Sequence, residues 1–314
     1  MRKVFLYLFT AIIYITPTYL LANDSLLKIS YPKDNTLQRE TTLNTIINIS
    51  SKSIDEIKVI SAFGESKINV IDSKVIYCKN VRLRLGENSI IVRAYKNKVK
   101  VDEQTTRVYV KSEIYYEYKF PPKKYKQNFF HNDANEVKCV KCHDMSVNET
   151  EGVPFMDVNE SNCYECHSNI TNEKYAHAPA VNWLCTSCHN GKPGSDNIQS
   201  KGLSKHIAPE PVNQECFRCH QKNLKLWNSY KYRHAPLDSG RCNKCHNPHS
   251  SPYKMFVRKP VDQICLGCHK DKHIKAQVVK NSECAGTSIG KKCIECHSPH
   301  ASDRPFFLKS KKTK

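Results

Sequence analysis

The sequence predicts a two-part chain: an N-terminal all-β sandwich followed by a region of short helices and loops that cannot build a side-chain core of its own. Three observations carry this. Residues 24–112 contain no histidine and read as about seven short strands in which apolar and polar residues alternate. All 14 histidines and 15 of the 16 cysteines lie from residue 131 onward. That later stretch is rich in Lys, Asn, Ser and Pro and poor in long apolar runs, so its buried apolar area must come from elsewhere.

The elements follow in order. Residues 1–22 begin with Arg2 and Lys3, continue with the apolar stretch Val4 to Leu21, and end at Ala22, a small residue suited to cleavage. This is the pattern of a secretory signal peptide, and Pro17 with the interspersed Thr and Tyr argues against a retained anchor. No cysteine precedes Cys78, so no lipid anchor at a mature N-terminal cysteine is expected. No second apolar run of spanning length follows, so the mature chain should have no integral membrane segment. Residues 23–112 contain the strands LKISY, TLNTIINIS, IDEIKVISAF, SKINVI, KVIYCKNVRLRL, NSIIVRAYK and TRVYV. In VRLRLGENSIIVRAY, Val81, Leu83 and Leu85 point one way and Arg82 and Arg84 the other, with a turn at Gly86, Glu87 and Asn88. This stretch resembles the last hairpin of bacterial immunoglobulin-like domains, which implies an immunoglobulin-like sandwich. Residues 113–130, with Pro121–Pro122, lysines and aromatics, read as an extended linker that can pack on the next domain through its tyrosines.

From residue 131 to 314 one motif dominates. Cys-x-x-Cys-His occurs at Cys139/Cys142/His143, Cys163/Cys166/His167, Cys185/Cys188/His189, Cys216/Cys219/His220, Cys242/Cys245/His246, Cys265/Cys268/His269 and Cys293/Cys296/His297. Two thiols at this spacing add across the two vinyl groups of haem, and the next residue is carried under the iron, where a neutral imidazole nitrogen binds it. A single Cys-x-x-Cys is equally a redox disulfide or half a zinc site, but seven copies that each continue into His, behind an export signal, are not. Seven covalently attached haems of the c type are therefore expected, and the macrocycles themselves supply the missing core.

At this point the chain resembles the multihaem c-type cytochromes with paired Cys-x-x-Cys-His motifs, over about residues 131–309. The resemblance rests on His-x7-Cys-x-x-Cys-His at His131, His177 and His234, on Cys-His-x-Pro-His ending at His249 and His300, and on the runs HSSPYKMFVRK and HASDRPFFLKS. The sites then group in units of two, with the seventh opening a unit that the C-terminus cuts short. Unit one is degenerate, with CHDMSVN in place of Cys-His-x-Pro-His.

Seven histidines remain outside the motifs: His131, His177, His206, His234, His249, His273 and His300. Seven spare imidazoles for seven irons predict bis-histidine ligation throughout. The repeated offset favours His131, His177 and His234. The resemblance implies His249 and His300. His206 lies ten residues before Cys216, and His273 has no repeat support. Met145, Met156 and Met255 are the reserve ligands. Within "RHAPLDSGRCNKCHNPHSS", His234 is expected to serve site five or its partner. His249 lies too close to His246 to reach the opposite face of the same iron, so it should bind a neighbouring haem. Unit one–two contains one spare histidine, so at least one ligand should cross between units, toward haem one or two.

Full bis-His ligation leaves no open iron position and favours electron transfer over catalysis. Multihaem reductases of the nitrite or hydroxylamine type resemble this chain in haem density but commonly carry a divergent motif or a haem without a distal ligand. The expected function is therefore an electron carrier, not an enzyme, operating at low potential in anaerobic respiration outside the cytoplasm, in the periplasm or at the cell surface. Its expected partners are donor and acceptor redox proteins, such as cytochromes, a quinol oxidase module or a terminal reductase. The alternatives are such a reductase with one five-coordinate haem, or a surface filament or adhesion protein that assembles through the sandwich. The formal charge of +19 does not imply nucleic acid. Residues 121–314 carry 30 basic and 18 acidic side chains, an excess offset by the 14 propionates of seven haems. Cys78 is expected to be a buried strand residue, with Cys284 in a loop. Trp183 and Trp227 are expected to pack near haem motifs.

Overall fold

The computed structural model describes residues 25–50, 53–71, 74–137, 139–140, 142–150, 152–191, 205–269 and 293–309. The expected signal peptide over residues 1–22, His273 and Cys284 lie outside these residues.

The N-terminal part is a two-sheet β-sandwich. Its strands are β1 (Leu27–Tyr31), β2 (Thr36–Gln38), β3 (Thr42–Ile49), β4 (Glu56–Ser61), β5 (Gly64–Asn69), β6 (Ile76–Arg82), β7 (Gly86–Lys96) and β8 (Val99–Val110). A further strand, β9 (Lys126–Gln127), comes from the segment read as linker. One sheet has the order β1-β3-β6, the other β5-β4-β7-β8-β2-β9. The inward residues Leu27, Ile47, Ile57, Ile90, Val92, Val108 and Val110 are fully buried between the sheets. Period-2 alternation puts them there: in β3, Leu43, Thr45, Ile47 and Ile49 face in, while Thr42, Asn44, Ile46 and Asn48 face out.

Three sequence expectations change. β6 and β7 are not a hairpin: β6 pairs with β3, and β7 pairs with β4 and β8, so the Leu-Gly-Glu-Asn turn carries the chain from one sheet to the other. The hairpin is β7–β8, closed by Asn97 and Lys98, both at positive φ (49° and 67°), as a two-residue turn compatible with strand twist requires. Cys78 is not buried. Tyr77 and Val81 take the inward parity of β6, which leaves Cys78, opposite Ile46, on the outer face.

The connecting segment belongs to both parts. Lys126 and Gln127 pair with β2, and Tyr125 is buried against Tyr109 at 5.3 Å between ring centroids. Ile114 is buried against Gly267, where a Cβ would stand 2.5 Å from the Ile114 Cγ2 atom, so the glycine permits the close approach. Tyr115 reaches Gln263 through its hydroxyl at 3.4 Å, while Tyr116 stays exposed.

Beyond residue 131 the elements are short: α1 (Asp133–Glu136), α2 (Tyr164–His167), α3 (Ala178–Val181), α4 (Asn213–Cys219), α5 (Gln221–Asn228), α6 (Ala235–Asp238), α7 (Val261–Leu266) and α8 (Cys293–Cys296). Two-residue strands β10 (Tyr175–Ala176) and β11 (Tyr232–Arg233) pair with β12 (Ser250–Ser251) and β13 (Ala301–Ser302). Among the described residues here, only Met156, Trp183, Ile207, Val212 and Ala301 are buried hydrophobics. In place of a core there is a cavity of about 3940 Å³, lined by the motif cysteines and histidines and, on one side, by Asn44, Ile46, Cys78 and Asn80 of the β1-β3-β6 sheet. No helix among the described residues is long and apolar enough to cross a membrane.

Candidate metal centres

Each Cys-x-x-Cys-His stretch is one helical turn. The histidine N–H donates to the carbonyl of the first cysteine in all seven, at 2.9 Å (His143), 2.9 Å (His167), 2.8 Å (His189), 3.0 Å (His220), 3.0 Å (His246), 2.8 Å (His269) and 2.9 Å (His297). Residues spaced three and four apart on such a turn share a face, so both cysteines and the imidazole are presented together; the seventh motif departs from the expected pair of free thiols, because Cys296 is disulfide-bonded while Cys293 is free.

The imidazoles then come in opposed pairs. His189 faces His249 with ring centroids 5.9 Å apart and planes 12° from parallel. His177 faces His220 at 6.3 Å and 14°, His246 faces His300 at 6.0 Å and 16°, and His234 faces His269 at 5.9 Å and 27°. His131 and His167 are 6.0 Å apart and more tilted, at 36°. Two imidazoles on opposite faces of one metal ion stand about 6 Å apart, from two metal–nitrogen bonds of about 2 Å and the depth of each ring. Stacking contact would bring the rings closer.

The second ring nitrogen is held in several cases. His246 donates from Nδ1 to the Met255 carbonyl and His297 to the Phe306 carbonyl, both at 2.7 Å; His189 donates to the His206 carbonyl at 3.1 Å and His177 to the Pro248 carbonyl at 2.9 Å. A carbonyl only accepts, so the proton sits on Nδ1 and the Nε2 lone pair is left for a metal. His143 and His131 use carboxylates instead, Glu165 at 2.7 Å and Glu136 at 3.1 Å. Burial also favours the neutral, ligating form: it pushes His167, His249 and His300 down to about 4, in His249 against the opposing pull of Glu40.

The carbonyls that orient His246 and His297 come from a repeated backbone feature. Met255 and Phe256 have φ of 58° and 55°, and Phe306 and Phe307 both have 57°. These are the Met-Phe and Phe-Phe pairs at matching positions of the runs KMFVRK and RPFFLKS, so the sequence carried the signal, though without its meaning.

Of the remaining predicted residues, His206 lies edge-on to His131, 5.1 Å away, and with Glu136 the two offer three ligand atoms within 4.8 Å of one another. His143 stacks on no imidazole among the described residues. Trp183 is buried against Tyr164 at 4.8 Å, and Trp227 lies 4.4 Å from the His300 ring. Met156 is buried and Met255 largely exposed.

Neighbouring motifs touch through their thiols. The first cysteines of sites two and three (Cys163, Cys185), four and five (Cys216, Cys242) and six and seven (Cys265, Cys293) hydrogen-bond as pairs. Cys166 lies within electrostatic reach of Cys139, Cys188 of Cys219, and Cys245 of Cys268, which links one to two, three to four and five to six. Every consecutive pair of motifs is thus adjacent.

Paired thiols, a neutral imidazole on the same turn, a second imidazole about 6 Å opposite and a large shared cavity together fit iron porphyrin attached through thioethers. The model of the doubled CXXCH motif family matches residues 234–274 and 288–314. The multiheme cytochrome MtrA of Shewanella baltica (strain OS185) is 28% identical over 131 residues, 40% of this chain and 38% of its own length. These two likenesses support a multihaem c-type cytochrome. The chain spans about two fifths of the length of that curated relative. Among solved structures, the fibronectin(III)-like modules of Clostridium thermocellum CbhA match 27% of this chain and 45% of theirs, at 17% identity and a TM-score of 0.23. WR4, a C. elegans MSP family member, matches 27% of this chain and 98% of its own, at 10% identity and a TM-score of 0.20.

Proposed function

We propose that the cytochrome carries seven bis-His haems and conducts electrons along them in sequence order, between a donor and an acceptor outside the cytoplasm. The single observation that carries this reading is the set of five imidazole pairs near 6 Å. In each pair one partner is a motif histidine: His167 with His131, His189 with His249, His220 with His177, His246 with His300, and His269 with His234.

The pairs follow a rule. The spare histidine before an odd-numbered motif faces the next, even-numbered one. The histidine after motif five or seven faces motif three or five. Applied once more, the rule draws the ligand of site one from the loop after motif three, where His206 is the one histidine available. His273 then serves His297. When bound, haem supplies one-electron storage at each site, and the thiol contacts support close spacing from site one to site seven.

Closed coordination at every iron argues for electron transfer rather than substrate reduction, at the low potentials of bis-His haem suited to anaerobic respiration. The reductase reading is favoured by one observation only, the His143 ring that no imidazole faces among the described residues; it would place the open haem at site one. Pyridine haemochrome analysis and intact mass should give seven haems, and the reduced protein should not bind carbon monoxide. A CO-reactive fraction near one haem in seven would replace the carrier reading with the reductase.

A further inference from the structure

Two carboxylates at the first pair of motifs bond to imidazoles. Glu136 Oε1 lies 3.1 Å from Nδ1 of His131, and Glu165 Oε2 lies 2.7 Å from Nδ1 of His143. The arrangement is reciprocal. The Glu136 carbonyl accepts from the Cys139 N–H at 2.7 Å, which ties it to motif one, yet its side chain serves His131, the ring opposite His167 of motif two. Glu165 lies inside motif two and serves His143 of motif one. In sites three to seven, one imidazole of each donates to a backbone carbonyl instead: His189 to His206, His177 to Pro248, His246 to Met255, His234 to Pro299 and His297 to Phe306.

The Glu136 side chain is buried, at 6% exposure, and its second oxygen accepts from Lys205 Nζ at 2.6 Å. Lys205 is shared with the exposed Asp133 at 2.7 Å, so one cation faces two carboxylates. A ring nitrogen of His206 also lies within 4.8 Å of the ligand atoms of Glu136 and His131. Glu40 is within electrostatic reach of the His189 and His249 rings of site three, but its bond is to Arg258 at 3.3 Å.

We propose that Glu136 and Glu165 are positioning residues that make sites one and two the lowest-potential pair of the array. The inference deepens the bis-His haem reading above and rests on it. A hydrogen bond with one charged partner is roughly twice as strong as a neutral one, so a carboxylate draws the Nδ1 proton harder than a carbonyl does. The Nε2 lone pair then becomes more basic, which favours the ferric over the ferrous iron. At partial reduction, electrons collect at sites three to seven, and an electron placed on the N-terminal pair runs downhill toward the C-terminal end.

The test is a redox titration of the full-length, haem-loaded protein. Glu136→Gln keeps the shape of the side chain and removes its charge. It should raise one of the two lowest macroscopic midpoints, with a change in the reduced-to-oxidised ratio at fixed potential of about tenfold, equal to ~59 mV for a one-electron couple. Glu165→Gln should shift the other upward by less, because Glu165 is 66% exposed and water screens its charge. Lys205→Gln removes the cation on Glu136 and should move the same midpoint as Glu136→Gln in the opposite direction, whereas Glu136→Asp, which keeps the charge, should fall between Glu136→Gln and the wild type. A carboxylate that only braces the loop would give no charge-dependent sign. The proposal is wrong if haem content is intact and no midpoint moves, if Glu136→Gln and Lys205→Gln shift it the same way, or if the midpoint that moves is not one of the two lowest. Should Glu136→Gln lose haem, Glu165→Gln decides alone, and an unmoved midpoint there overturns the proposal. One equivalent of a divalent metal besides iron in the wild type would also overturn it, because His131, Glu136 and His206 would then be ligands of that ion. Wild-type protein without covalent haem by pyridine haemochrome would instead refute the functional reading.

Discussion

His249→Ala should open one iron and leave the rest closed. The His249 ring faces His189 of motif three at 5.9 Å, and its planes lie within 12° of parallel, so on the bis-His reading it is the distal ligand of haem three and not of haem five, three residues upstream. The substitution is clean because the structural work at this position is done by the backbone: the His249 carbonyl accepts from the His177 N–H at 2.8 Å, and the preceding Pro248 carbonyl accepts from His177 Nδ1 at 2.9 Å. Alanine retains both, so the ligand of site four stays in place. The expected magnitude is one coordination position in the whole chain, a CO-reactive and high-spin fraction of about one seventh of total haem. The assay is the difference spectrum of the reduced variant with and without carbon monoxide, normalised to haem content, with electron paramagnetic resonance of the oxidised protein for the high-spin signal. His177→Ala serves as the parallel case, opening site four by the same amount. A variant that stays fully low-spin with unchanged haem content would refute the assignment of His249. Loss of several sites at once would refute the independence claimed for the backbone contacts.

Further outcomes follow from the sandwich and from the shape of the haem region. Ile57→Ala, at a fully buried β4 position, should cost about 2–5 kcal/mol in denaturant unfolding followed by circular dichroism, with no change in haem spectrum. Lys98→Gly, at φ 67° in the β7–β8 turn, should stabilise the sandwich by about 0.5–1 kcal/mol in the same assay, because glycine takes that conformation without a Cβ clash. The Arg107 guanidinium holds the Asp34 carboxyl down to about 2, below its ordinary 3.8. A depressed acid stabilises the fold above its unfolded pKa and loses that contribution as pH falls through the folded value, so the loss should fall between about pH 4 and 2 and be absent in Asp34→Asn, as read by an NMR-detected titration. Protein made without haem attachment should keep amide protection in the sandwich strands and lose it from residue 131 onward. Retained protection there would mean that the few buried side chains suffice as a core.

Legibility in the sequence tracked the range of the interaction. The motif turns are local, closed by a hydrogen bond between residues four apart, so each could be read from five letters. The strands were readable because alternation is a property of one segment. Sheet membership was not: Leu-Gly-Glu-Asn is compatible with a hairpin or a crossover, and only the pairing of β6 with β3 decides. β2 is too short, at three residues, to show a period, yet Thr36 in it is fully buried. Cys78 was misplaced because its parity follows from Tyr77 and Val81, and a cysteine in a strand suits either face. The partner of each histidine was not legible in a short window, because the opposed rings come from distant segments.

That distance is itself informative. The facing rings cross between units: the ring facing His189 comes from the following unit, and so does the ring facing His246. The short strand pairs repeat the dependence, β10 with β12 and β11 with β13, each joining the start of one unit to the loop after the first motif of the next. Such an array resembles a solenoid, stable through contacts with neighbours and incomplete at its ends. The N-terminal end has no preceding unit, and there the sandwich stands in: Asn44 donates to the Cys166 carbonyl at 2.6 Å, and Cys78 lies within electrostatic reach of Cys139 and Cys166. The outward face of the β1-β3-β6 sheet is thus a capping surface that lines the cavity through Asn44, Ile46, Cys78 and Asn80. A sandwich in this role is fixed by the array it closes, which is why its outer face faces the cavity rather than solvent.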